Sequence, residues 1–447
     1  MKTQIERSLQ YSIKDGIAYA IMFGIGETYF VAYALYLKAT TFDIAFLSAF
    51  PILFGSLVQL LSVWIQNKGV TRQRLILIGA CIQGATWLPI IIVPLFFSNN
   101  SVHLLIAFVI LYYMAGNFIV PVWTDWMGDL IQEKKRGRFF AHRTRLINAT
   151  TFGAMVVGGI ILHMHEVSGD QAKGFITIFA IACAGRCASV FFLLKMEDPF
   201  PPKKQTEIDV HALHFSQLVP NHRALIFTLF VSLIQFATFI AAPYFSVYML
   251  KTMQLDYVVF MSLLAVSVMT QFLTLNYWGK LSDYVGNRLI LVYTSMLLPV
   301  LPILWLFSTN LMYLCFIQIL GGLTWAGFSL CVNNSIYELI EPKQRPNFCA
   351  FYNVVCHICI ACGALLGGWL ASLNITKIDF ILFQTNFDNP LFTVFLVSGL
   401  CRLTVVVMLI KYIHDEPIPF STRRTYIRVT RLFPGLMIDW IVKKKDR

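Results

Sequence analysis

The sequence predicts an all-α membrane protein with twelve transmembrane helices, arranged as two six-helix pseudo-symmetric repeats. Three observations carry that prediction. Apolar residues make up 57% of the 447-residue chain and charged residues only 13%, where a soluble chain carries about a quarter. The apolar residues fall in long stretches of about 20, the length a helix needs to cross the hydrocarbon core. Finally, the chain repeats itself. Asp129-Leu130-Ile131 leads through Lys134, Arg136, Phe139 and Ala141 to Gly158-Gly159. The same order returns 209 residues later as Glu338-Leu339-Ile340, Lys343, Arg345, Phe348, Ala350 and Gly367-Gly368.

The expected spans are 12–37, 42–65, 74–97, 103–127, 139–164 and 173–195 in the first half. In the second half they are 223–250, 256–278, 288–307, 311–338, 346–372 and 389–412. Further matched pairs support the duplication. Trp64 and Arg74-Leu75-Ile76-Leu77 match Trp278 and Arg288-Leu289-Ile290-Leu291, Leu37-Lys38 with Asp43 matches Leu250-Lys251 with Asp256, and Arg186 matches Arg402. The domains are therefore 1–195, a linker 196–222 rich in Pro and charge, 223–413, and a basic tail 414–447.

Charge orients the helices. Of the 35 Lys and Arg, 29 lie on the side of the N-terminus, 4 lie in the opposite loops, and Arg186 and Arg402 lie within spans. By the positive-inside rule, both termini and the 196–222 linker are expected in the cytoplasm. The same distribution assigns the net charge of +12 to membrane topology rather than to nucleic acid. The tail, with Tyr426, Ile427, Leu432, Phe433, Trp440 and Ile441 among its basic residues, reads as a segment lying on anionic lipid. All ten cysteines fall in apolar stretches, so free thiols are expected, not a disulfide framework. The N-terminus lacks the features of a cleaved signal peptide.

Duplication in a helical membrane protein points to a secondary transporter whose halves rock around a midplane site. The loop Gly279-Lys280-Leu281-Ser282-Asp283-Tyr284-Val285-Gly286-Asn287-Arg288 resembles the GxxxDxxGxR motif of the major facilitator superfamily. Together with the repeat, it identifies the chain as similar to that family over nearly its whole length. The resemblance implies a cavity lined by spans 1, 4, 7 and 10 and flanked by 2, 5, 8 and 11, with 3, 6, 9 and 12 outside. It also implies that the loop steadies an outward-facing state through Asp283 and Arg288. The first copy departs from the motif, with Ile65 and Gly69 where the first Gly and the Asp belong. Span 4 has Tyr112 where many proton-coupled members carry Arg, and span 5 lacks the Gly-Pro of drug antiporters.

The candidate residues follow from depth. Glu27 is read as the acid near mid-span, where a carboxylate is costly and functional; its expected role is proton coupling, with a structural pair to Arg186 as the alternative. Asn117, Asn148, Gln235, Gln271, Trp325, Asn353 and His357 are candidate substrate contacts, with interhelical hydrogen bonding or packing as the plain alternative. Asn148 and His357 are a repeat pair, and Tyr29, Tyr33, Tyr112 and Tyr113 are candidate aromatic walls. Asp125 and Asn334, another repeat pair, are expected to gate the inner face with Arg143 or Arg145. Arg186 and Arg402 are expected to share a structural role. Cys356, His357, Cys359 and Cys362 resemble a metal run, but small residues at a helix interface explain them better, and no metal or cofactor is expected. No ATPase motif or enzyme signature is present in the sequence.

The expected function is gradient-driven transport of a small organic solute by a monomer in a bacterial-type inner membrane, by proton symport. Efflux of amphiphilic compounds such as drugs or siderophores, or a transporter-like receptor or scaffold, are the alternatives.

Overall fold

The computed structural model of the protein describes residues 2–96, 100–131, 133–198, 221–341, 344–375, 377–380, 383–386 and 389–414. The tail from 415 onward and residues 199–220 of the linker lie outside the described residues. Twelve described helices are long and apolar enough to span a membrane. In the first half they are Gln4–Tyr36, Thr41–Gln66, Arg72–Ile92, Ser101–Leu130, His142–Val167 and Gln171–Leu194. In the second they are His222–Thr252, Tyr257–Asp283, Asn287–Leu304, Leu311–Leu339, Phe351–Ser372 and Leu391–Met408. We number these spans 1 to 12. The predicted fold class is borne out, with one small addition. An antiparallel hairpin of β1 (Lys377–Phe380) and β2 (Phe383–Asn386) joins spans 11 and 12.

Several helix starts are written in the sequence. Thr40 and Asp43 form a reciprocal capping box at the start of span 2. Asp170, Asn221 and Asn310 accept backbone N–H bonds at the starts of spans 6, 7 and 10. Each satisfies a donor that the first helical turn leaves open.

In the first half, span 1 packs on spans 5 and 6, and span 2 on span 4; in the second, span 7 packs on 11 and 12, and span 8 on 10. The halves meet where span 2 lies on span 11 and span 5 on span 8. The repeated Gly-Gly explains both kinds of packing. Gly158 lies under the ring of Tyr29, whose hydroxyl donates to the Met155 carbonyl. At the repeat-related place Gly367 lies under Tyr244, whose hydroxyl donates to the Thr41 carbonyl of the other half at 3.2 Å and lies 3.5 Å from the Ala364 carbonyl of its own. The first glycine of each pair thus seats a tyrosine of its own half. The second admits the other half: Gly159 faces Tyr257 and Met261 of span 8, and Gly368 faces Ala45 and Thr41 of span 2.

An even number of spans puts both ends of the bundle on one face, the terminal face; the opposite one is the distal face. The distal ends share one continuous apolar cluster that includes Tyr33, Leu47, Tyr244, Met261 and Phe395. Nearer the terminal face the apolar core divides. Leu75, Trp126 and Leu193 belong to a cluster of the first half, and Phe230, Leu291 and Phe348 to one of the second. The halves are therefore joined at the distal face and parted toward the terminal face.

Candidate functional site

Span 1 is not a continuous helix. It runs as α-helix from Lys2 to Ile25, turns through a 3-10 segment at Glu27–Tyr29, and resumes as α-helix from Phe30 to Tyr36. The Gly26 Cα lies against Trp87 and Ala182, leaving no room for a side chain. Thr28 Oγ1 donates to the Gly24 carbonyl at 2.8 Å, satisfying one acceptor at the break. A broken helix at membrane depth is tolerated where it lines a cavity, and a cavity is present there.

That cavity has a volume of about 590 Å³ and lies between the halves. Span 1 contributes Tyr19, Phe23 and Thr28; span 5 contributes Asn148, Thr151 and Met155; span 8 contributes Ser267; and span 10 contributes Gln318. The wall is apolar with neutral hydrogen-bonding groups. Its size falls in the range of small-molecule sites.

Glu27 is half-buried beside this wall. Its Oε2 accepts from the Tyr112 hydroxyl at 2.8 Å. Tyr19, a lining residue, lies within electrostatic reach of the carboxylate. Among the described residues Glu27 has no ion-pair partner.

Arg186 therefore does not pair with Glu27. Its Nη1 donates to Ser189 Oγ at 2.9 Å, and Ser189 in turn donates to Asp15 Oδ1 at 2.6 Å. Arg143 Nη2 lies 3.6 Å from the other Asp15 oxygen. Asp15 is a buried acid, only 5% exposed, that sequence reasoning missed. It lies close to residue 12, where span 1 was expected to start. The helix instead begins at Lys2 and carries Asp15 inside the bundle. Arg402 makes its described hydrogen bonds to backbone carbonyls, those of Leu298 and Thr238.

The expected inner pairing of Asp125 with Arg143 or Arg145 is corrected. Arg145 is exposed, and Arg143 is engaged with Asp15. Asp125 pairs instead with Arg72 at 3.1 Å, and Arg72 also holds Asp129 at 2.8 Å and Asp198 at 2.9 Å. At the corresponding end of the second half, Asn287 meets Asn334 and Glu338, the repeat counterparts of Asp125 and Asp129. Asn287 accepts from Asn334 at 2.9 Å and donates to Glu338. Asp283 is exposed, and among the described residues no ion pair joins it to Arg288.

Of the expected substrate contacts, the cavity wall includes Asn148 alone. Asn117 bonds Gln59 of span 2 at 2.9 Å and the Tyr113 carbonyl, an interhelical role. Trp325 packs edge-on against Phe328 in the second half's own core. Gln235, Gln271 and His357 are half-buried and Asn353 is exposed, and none of these four is among the cavity-lining residues. The rings and hydroxyls that do line it, such as Tyr19, Phe23, Thr151 and Ser267, carried no signal in the sequence. Which flank of an all-apolar helix faces a cavity depends on helix rotation, not on residue type. The ten cysteines are free thiols, as expected.

Two six-span halves with a cavity between them have the architecture of a membrane transporter. The chain matches the Major Facilitator Superfamily over residues 16–273 and 227–433 and belongs to that family. Its fold is shared with solved transporters. A point mutant of the nucleoside transporter NupG superposes with a TM-score of 0.72 at 13% identity, covering 92% of this chain and 100% of that one. A bacterial homologue of the iron transporter ferroportin in an inward-facing state gives 0.68 at 13%, covering 93% and 100%. A bacterial homologue of the human lysosomal transporter Spinster, inward-facing and unoccupied, gives 0.62 at 11%, covering 96% and 98%. No curated protein matches this chain by sequence.

Proposed function

We propose that this transporter takes up a small, neutral organic solute with a ring face and a hydrogen-bonding edge, driven by a proton carried on Glu27. The carrying observation is the cavity between the halves. Tyr19 and Phe23 offer aromatic surface, and Asn148, Thr151, Ser267 and Gln318 offer neutral donors and acceptors, with no basic residue among the described lining residues. A carboxylate at the break of span 1, held by the Tyr112 hydroxyl and by no ion pair among the described residues, suits a group that loads and releases a proton. An ion pair would hold it permanently charged. With both termini cytoplasmic in a bacterial-type inner membrane, the state described is inward-facing. The gating roles of Asp125, Asp283, Arg288 and Asn334 belong to the same reading, as does action as a monomer.

A nucleoside is the first solute class to test, since it is neutral, ring-bearing and rich in hydrogen-bonding edges. A thermal-shift screen of the purified protein against nucleosides, other metabolites, siderophores and drugs identifies the ligand. Proteoliposomes then give the mechanism. Glu27→Gln should abolish proton-driven accumulation and spare substrate counterflow. Accumulation at wild-type level by a folded Glu27→Gln variant refutes the coupling. Stabilisation only by amphiphilic drugs, with outward pumping, refutes the uptake reading.

A further inference from the structure

We propose that the distal seam carries a binding site for a divalent transition metal of the zinc class, built from His163, Glu166 and Asp256, which fastens the distal face shut. One ligand atom from each residue lies within 4.8 Å of the others. His163 Nδ1 is 4.0 Å from Asp256 Oδ1. His163 and Glu166 are three residues apart on span 5 and so share a helix face. Asp256 opens span 8, in the other half. The site exists only while the halves meet.

Two further observations point to a ligand. His163 Nδ1 and Glu166 Oε2 are shielded from solvent and have no hydrogen-bond partner among the described residues, although buried polar atoms ordinarily find one. Gln171 Nε2 bonds the other carboxylate oxygen, Glu166 Oε1, at 2.9 Å, which orients the group and leaves Oε2 uncommitted. The second observation comes from the repeat. Asp43, the counterpart of Asp256, is consumed in the capping box of span 2. Asp256 stands at the N-cap of span 8, yet its side chain makes no capping bond. Its carboxylate faces His163 instead.

One imidazole nitrogen and two carboxylate oxygens suit a borderline cation such as Zn²⁺, with a fourth place for water. Zinc–ligand distances of about 2.0–2.2 Å require the three atoms to close by about 1 Å, within reach of side-chain rotation. His163 and Asp256 keep 40% and 60% of their side chains exposed, which leaves an entry path. The binding does not depend on which solute is carried. The locking consequence rests on the alternating-access reading.

The test is a titration of the EDTA-stripped, full-length protein in detergent with ZnCl₂ by calorimetry, with MgCl₂ as the comparison. The expected result is about one Zn²⁺ per chain and no Mg²⁺ signal at the same concentration. Asp256→Asn and His163→Gln should each weaken binding by at least the tenfold that losing even an outer partner of a metal ligand brings. Asp256→Asn changes an exposed residue, so it keeps the test decisive if the His163 variant does not fold. Zn²⁺ should also slow hydrogen exchange at the distal ends of spans 2 and 8 in the wild type and not in Asp256→Asn. No Zn²⁺ binding, or binding of equal strength in the variants, overturns the site. Binding at the site without slowed distal exchange overturns the clamp.

Discussion

Replacing Gly368 with alanine should push the protein out of its distally closed state. A methyl group built at Gly368 lies 2.6 Å from Ala45 Cβ and 2.9 Å from the Tyr244 hydroxyl oxygen. Carbon atoms prefer separations of about 3.5–4.0 Å, so the shortfall against Ala45 is about 1 Å. Neither methyl has a torsion that can carry it away. Overpacking of this kind costs about 1–3 kcal/mol. Ala45 belongs to the other half, so parting the halves removes the clash entirely. The penalty therefore falls on the distally closed state alone. A bias of that size is a shift of about 5- to 150-fold in the population ratio. Hydrogen exchange read by mass spectrometry on the distal ends of spans 2 and 11 measures it, and both should exchange faster in Gly368→Ala. Gly158 supplies the control. A methyl there meets the ring and hydroxyl of Tyr29, and that hydroxyl donates to the Met155 carbonyl, all within one half. Gly158→Ala should lower the melting temperature without selective distal opening. Wild-type exchange at the distal ends in a folded Gly368→Ala protein refutes the assignment of the second glycine to the seam.

Other perturbations probe different links. Arg72 is 1% exposed and faces three carboxylates, so Arg72→Leu should remove the buried cation they share and cost about 3 kcal/mol, read as a fall in melting temperature of the detergent-solubilised protein. Asn148→Ala should weaken the solute found by thermal shift by about tenfold, the loss of one good hydrogen bond in a closed site. Asn117→Ala should change affinity little and stability more, because Asn117 ties span 4 to Gln59 of span 2.

The twelve spans were legible because length and apolarity alone define them. The duplication was legible as sequence, but not what its glycines do. Only packing separates the first of each pair, which seats Tyr29 or Tyr244, from the second, which admits the other half. Glu27 stood out because little else near it is charged. Four tyrosines were named as aromatic walls, and the structure places the hydroxyl of one of them, Tyr112, on the carboxylate. Asp15, close to the expected start of span 1 at residue 12, was not singled out; the helix runs from Lys2 and carries it into the bundle. The partners of Asp125 were misread for a related reason. Arg143 or Arg145 was the expected partner, whereas the start of span 3 delivers Arg72 to the same place.

That last correction changes how the two inner ends compare. The first half lost the loop acid at Gly69 yet gathers Arg72, Asp125, Asp129 and Asp198 into one charged knot. The second half keeps Asp283 but builds the equivalent position from Asn287, Asn334 and Glu338. Both knots lie within their own halves, so both are compatible with a parted terminal face. Asp283, exposed and outside the described ion pairs, is then the acid left for a contact made only when that face closes. Asp283→Asn should consequently slow transport while leaving the melting temperature of the resting protein unchanged, because it breaks no ion pair described in this state. Gly69 has a backbone φ of 89°, which a β-carbon makes costly by about 1–2 kcal/mol. Gly69→Asn, a residue that tolerates such angles, is the fair comparison and should leave the transport rate intact. Equal slowing by both substitutions, or a fall in melting temperature for Asp283→Asn, would show that the acid serves this state rather than the one that follows it.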